Sequence, residues 1–162
     1  MCSSDLEVFA LKSSYAEDAP VGLGSSSVAV LRTPSIALVV GEQTSPTSVG
    51  SVWYLLEQVA GLKFTMLTLE QLNRIELSRF NVILLPDGGG YSSALGKSGI
   101  DRLKEWVRKG GALIGLEGGG VWFTEKEASL SSATVVGESG GKRPVELAGA
   151  LFTAQIDRSH FL

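Results

Sequence analysis

The chemistry this chain can offer is concentrated around Glu117. It lies in the stretch GGALIGLEGGGVWF, between the apolar run Ala112 to Leu116 and the glycines Gly118, Gly119 and Gly120. A buried strand, one displayed residue and a glycine turn into a helix make the layout of a nucleophile elbow. Such a turn lifts its central side chain above the carboxyl edge of a sheet, where ligands of open α/β sheets bind. A Ser or Cys there would be a nucleophile. A glutamate offers instead a general base or a cation ligand. The plainer alternative is a carboxylate that caps the turn behind it, accepting backbone N–H bonds at the positive end of a helix. A lone carboxylate lacks the partner that acid–base catalysis needs, so capping is the favoured reading.

Two other carboxylates belong to the same edge, Glu42 in the loop after the first expected strand and Asp87 in the loop after the third. Grouped in one crevice with Glu117, they could raise a carboxyl pKa or hold a hard cation such as Ca²⁺ or Mg²⁺. A polar rim without a ligand is the alternative, since every α/β sheet collects polar residues there. Between Gly41 and Ser48 the loop GEQTSPTS is rich in hydroxyls and resembles the phosphate loop of flavodoxins. Pro46 interrupts it, and Thr47 or Ser48 as a simple helix N-cap accounts for it better.

The rest of the composition excludes more than it suggests. The chain has 162 residues, 44% hydrophobic and 19% charged, with a net charge of −3. That is one domain by the usual size prior, with enough apolar material for a core and no basic excess to attract nucleic acid. No apolar run is long enough for a membrane helix, and no secretory signal pattern is present. The single cysteine, Cys2, and the single histidine, His160, stand at opposite ends of the chain. A Cys–His pair would have to join those ends, and a zinc site of His and Cys ligands is excluded for this stretch.

The elements that must position the acidic residues follow from periodicity. Ile36 to Val40, Phe64 to Leu67, Asn81 to Leu85 and Ala112 to Leu116 read as strands, the last buried on both faces. A helix with Val49, Val52, Trp53, Leu56 and Val59 on one face separates the first two and stops at Gly61. Thr68 with Gln71 forms a capping box for a short helical turn. Ser98 with Asp101 starts another helix, with an apolar stripe of Ile100, Leu103, Trp106 and Val107. An i,i+4 pair of Glu105 and Lys109 supports that helix, and Gly110 closes it. Ala133 to Val136 and Ala150 to Ile156 read as further strands. This order predicts an α/β fold, a three-layer, doubly wound, mostly parallel sheet.

Met1 to Leu6 read as the translation of a sequencing-adapter string from a GTG start and are expected to be an assembly artefact, leaving a piece of a longer protein. Residues 7–31, rich in Ser, Gly and Ala, read as a linker or the tail of a preceding domain.

Four segments taken in order carry a resemblance: SIALVVGEQTSPTSVGSVWYLLEQ, LSRFNVILLPDGGGY, LKEWVRKGGALIGLEGGGVWF and GALFTAQIDRSHFL. Together they resemble the class I glutamine amidotransferase-like domain at the C-terminal end of certain secreted bacterial zinc carboxypeptidases. The likeness covers residues 32–162 and implies a flavodoxin-like layout, incomplete at its C-terminal end. True amidotransferases and PfpI-type proteins carry a cysteine where this chain has Glu117. A histidine directly after it is likewise missing, as Gly118 stands there. Within the resemblance, Gly88 to Gly90 with Tyr91 resemble an oxyanion-hole loop. With no nucleophile opposite, that loop reads as a tight turn.

The resemblance therefore implies a non-catalytic accessory domain. It would pack on an upstream peptidase domain of the same chain, or bind a small ligand or peptide through Glu42, Asp87, Gly88, Gly89, Tyr91, Glu117 and Gly118. Zinc is expected only in that peptidase domain, and the parent is expected to be periplasmic or secreted. One alternative is a free-standing hydrolase using a Glu42/Glu117 crevice, and a second is a flavin- or phosphate-binding flavodoxin-like module. No nucleic acid or membrane partner is expected.

Overall fold

The structure, a computed structural model, describes residues 32–135. Cys2, His160, the expected artefact and linker, and the expected strand at 150–156 lie outside the described residues. Residues 32–132 belong to one compact unit. Ala133–Val135, part of the strand expected over 133–136, belong to the other unit and carry no regular structure.

β1 (Ile36–Val39) is buried along its whole length, as its uninterrupted apolar sequence requires. β2 (Phe64–Leu67) and β3 (Val82–Leu85) flank it, and β4 (Ala112–Gly115) pairs with β3, giving the order β2-β1-β3-β4 with every pair parallel. The connections are helical. α1 (Pro46–Tyr54) runs on into a π-turn (Leu55–Val59), and α2 (Leu69–Arg74) is followed by a 3₁₀ turn (Leu77–Arg79). α3 (Tyr91–Arg108) leads to β4, and α4 (Gly118–Trp122) follows it. The fold is α/β, built on a four-stranded, all-parallel sheet.

Alternation along β1 divides the core in two. Ile36 and Leu38 join Leu84 under Val52 and Leu56 of the first helical segment. Ala37 and Val39 join Ile83 and Leu85 with Leu72, Leu103, Trp106 and Trp122 from α2, α3 and α4. Helices thus cover the sheet from both sides. The second cluster is the larger, and it fixes the ends of β3 and β4 that carry the acidic loops.

Local chemistry explains the boundaries. Gln71 N–H donates to Thr68 Oγ1 at 3.2 Å and Thr68 N–H donates to Gln71 Oε1 at 2.9 Å, the reciprocal pair of a capping box. At the end of α3, Gly111 N–H donates to Trp106 O and Gly110 N–H to Val107 O, with Gly110 at φ +99°. That is a Schellman closure, which needs a residue without Cβ at the left-handed position. Glu105 and Lys109 do pair, at 3.5 Å on the exposed face.

Four expectations are corrected. Ser45, not Thr47 or Ser48, caps α1, since Pro46 at the first helical position fixes the start two to three residues earlier. α3 begins at Tyr91 and is broken at Gly96, whose φ of 62° and ψ of 173° are not helical, so Ser98 lies inside the second segment. The carbonyls freed by the break accept from Asn73 Nδ2, at 3.3 Å for Ala94 and 3.2 Å for Leu95. Trp53 and Val59 are exposed at 37% and 56%, because α1 and the π-turn after it set only Val49, Val52 and Leu56 against the sheet. Finally, β4 is not buried on both faces: Ala112 and Ile114 are exposed, as β4 is an edge strand and no described element covers their side.

Candidate functional site

Three loops meet at the carboxyl edge of the sheet, beside the crossing between β1 and β3 where the chain reverses direction through the sheet. They are joined backbone to backbone. Ser45 N–H donates to Asp87 O at 2.7 Å, Gly89 N–H to Gln43 O at 3.0 Å, and Thr44 pairs with Gly88 as an isolated antiparallel bridge. Asp87 N–H donates to Ser48 Oγ at 3.0 Å. Leu116 N–H continues the β3–β4 ladder to Leu85 O at 2.9 Å, bringing the third loop alongside.

Close approach is possible only because glycines stand at the seams. A Cβ on Gly119 would lie 2.5 Å from Leu85 O and 2.6 Å from Pro86 O, and one on Gly118 would lie 2.7 Å from Asp87 Oδ1. Gly88 is packed as tightly against the Gln43 carbonyl. Gly89, by contrast, has open space around it.

Glu117 sits at the turn between β4 and α4 with φ 46° and ψ −115°, a conformation that residues with a Cβ rarely adopt. This is the strained strand-to-helix turn expected for an elbow. Its carboxylate is exposed and caps nothing. The expectation that Glu117 caps α4 is therefore corrected. Gly118 N–H donates instead to Asp87 Oδ1 at 3.0 Å, from a residue thirty-one positions earlier. A positive φ turns the Glu117 side chain off the helix end, so the cap comes from across the loop.

This bond matters chemically. In elbow enzymes the N–H of the residue after the nucleophile is one of the donors that stabilise the oxyanion. Here that position is Gly118, and its N–H is engaged by a carboxylate of the same chain.

Tyr91 is 1% exposed, and its hydroxyl donates to Pro86 O at 2.7 Å. Burial, and then the charge of Asp87, push its phenol up to about 12. Its ring meets Trp122 at 5.7 Å between centroids. Trp122 Nε1–H donates to Ser92 Oγ at 2.8 Å, and Ser92 Oγ–H donates to Glu125 Oε2 at 3.3 Å. This chain of contacts locks α3 to α4 behind the loop. Sequence reasoning offered Ser48 only as a helix N-cap and missed Ser92, because their partners lie 39 and 30 or more positions away.

Glu42 is exposed, and neither its carboxylate nor that of Glu117 has a hydrogen-bond or ion-pair partner among the described residues. No group of three His, Cys, Asp or Glu among the described residues is arranged to hold a metal ion. Asp87, Gly88 and Gly118 are brought together, then, with Tyr91 buried behind them and Glu42 and Glu117 standing outward at the rim. In the β1–α1 loop and the first turn of α1, Thr44, Ser45 and Ser48 all spend their N–H groups on protein acceptors, Thr44 on Gly41 O and Ser48 on Ser45 Oγ. No family model, curated protein or solved structure matches this chain.

Proposed function

We propose that the chain is a non-catalytic accessory domain with an amidotransferase-like, flavodoxin-like layout, serving a zinc carboxypeptidase by packing on its peptidase domain or by binding a small ligand at the carboxyl edge. The single observation that carries this reading is the pairing of two features at the elbow. Its strained backbone is present, but a glutamate holds the nucleophile position and Asp87 occupies the adjacent N–H donor. An acyl-transfer site needs both a nucleophile and a free donor for the developing charge. The strand order β2-β1-β3-β4 agrees with the first four strands of flavodoxin-like sheets.

The hydrolase alternative gains no support, since neither the Glu42 nor the Glu117 carboxylate has a partner to act with among the described residues. A flavin- or phosphate-binding loop needs N–H groups free for the anion, and those of Thr44, Ser45 and Ser48 are spent.

The test has two arms. Sequencing the genomic region around this reading frame is expected to reveal an upstream domain with a His-x-x-Glu and a later His. Purified protein is expected to hydrolyse amide and ester substrates no faster than its Glu117→Ala variant. Turnover that disappears with Glu117→Ala would overturn the proposal, as would a reading frame with no peptidase domain.

A further inference from the structure

At the opposite, amino edge of the sheet, a cavity of about 450 Å³ opens where the chain enters β1, β3 and β4. Among the described residues its charged lining is basic, supplied by Arg32, Arg79 and Lys109. Arg32 and Arg79 form no ion pair among the described residues, and Lys109 reaches Glu105 only at 3.5 Å on an exposed face. The neighbouring groove carries Glu76, Asp101 and Glu105, of which Glu76 accepts from Ser78 Oγ–H and Glu105 pairs with Arg108 and Lys109, and none of the three lines this cavity.

The backbone under these cations is held firmly. Ser35 Oγ–H donates to Arg79 O at 2.8 Å, Ser35 N–H to Asn81 Oδ1 at 2.7 Å, and Asn81 Nδ2 to Thr33 O at 2.9 Å. Those bonds tie the residues around Arg32 to Arg79. Trp106 Nε1–H donates to Phe80 O at 3.2 Å and fixes the apolar floor. The α3 carbonyls that would repel an anion here, Trp106 O and Val107 O, already accept from Gly111 and Gly110.

Lys109 is accounted for by the negative end of α3. Among the described residues no ion pair or hydrogen bond engages the Arg32 and Arg79 guanidinium groups, yet they face one cavity from two segments that the Ser35 and Asn81 bonds hold together. We propose that this cavity binds a small phosphate-bearing molecule. Guanidinium groups present forks that match phosphate oxygens in pairs. The volume falls within the range of small-ligand sites, generally about 300–1,000 Å³, and leaves room for more than one phosphate group.

Pyrophosphate is the probe, titrated calorimetrically into the 162-residue chain at fixed ionic strength, with sodium chloride as the matched control. Saturable binding is expected, weakened about tenfold by Arg32→Gln and by Arg79→Gln, the loss of roughly one charge-assisted bond each. Both side chains are exposed, so the variants keep the fold, which circular dichroism verifies. Arg74→Gln, which removes a cation engaged with Glu70 on α2, is expected to leave the affinity unchanged. No saturable heat, a response equalled by chloride, or full affinity in the Arg32→Gln/Arg79→Gln double variant would overturn the proposal.

Discussion

Replacing Glu117 by glycine is expected to stabilise the protein. The backbone at Glu117, φ 46° and ψ −115°, is one that glycine adopts freely and other residues adopt under strain. Such strain costs on the order of 1–3 kcal/mol. Glycine also frees the unfolded chain, which returns about 0.5–1 kcal/mol of that gain. The lost carboxylate caps nothing and is exposed, so its removal should contribute within about 0.5 kcal/mol. The net expectation is a gain of about 1 kcal/mol. With a urea dependence of roughly 1–2 kcal/mol per molar, the unfolding midpoint should rise by about half to one molar. Glu117→Gln and Glu117→Ala keep the Cβ and the strain, and their midpoints should stay near the parent's. If Glu117→Gly is no more stable than Glu117→Ala, then the turn is unstrained and the elbow reasoning fails.

Further outcomes follow from neighbouring contacts. Asp87→Ala strips the acceptor from Gly118 N–H and should cost about 1–2 kcal/mol in urea unfolding, whereas Asp87→Asn keeps an oxygen in place and should cost less than half of that. Gly119→Ala forces a Cβ to 2.5 Å from Leu85 O and should destabilise by about 2–3 kcal/mol, with circular dichroism and urea melts as the readout. Tyr91 has a folded phenol pushed up to about 12 from an unfolded value near 10. The stability it supplies is fully present below pH 10 and is lost as pH rises through 12, because the unfolded state sheds its proton first. Urea midpoints measured across that range should fall by an equivalent of about 2 kcal/mol, and Tyr91→Phe should lack that part of the slope.

What sequence alone revealed follows the range over which each interaction acts. Thr68 and Gln71 are three residues apart and satisfy each other, so their capping box was legible. Gly110 closes α3 through carbonyls of the preceding turn, and that too was legible. The four strands read correctly to within a residue at either end, because short apolar runs have few other places to go. The second segment of α3 was placed to within two residues by Ser98 and Asp101, but its first segment, from Tyr91 to the break at Gly96, was not legible. The carbonyls of Ala94 and Leu95 there accept from the Asn73 amide on α2, a partner more than twenty positions away. Trp53 misled because a π-turn and a short helix shift which residues face the sheet. At the site, the elbow pattern located Glu117, but the residue that meets the Gly118 N–H lies thirty-one positions upstream, beyond any local rule.

The glycine seams at the carboxyl edge also govern how this surface could be diversified. At Gly88, Gly118 and Gly119 a neighbouring loop already occupies the volume of a methyl group, so substitution there must push one loop off another. Glu42, Gly89 and Glu117 face open space. A saturation library would therefore divide this ledge into frozen and permissive positions, and a selection for new ligands would find its winners among the permissive ones. The frame is shared, and the chemistry it displays is interchangeable.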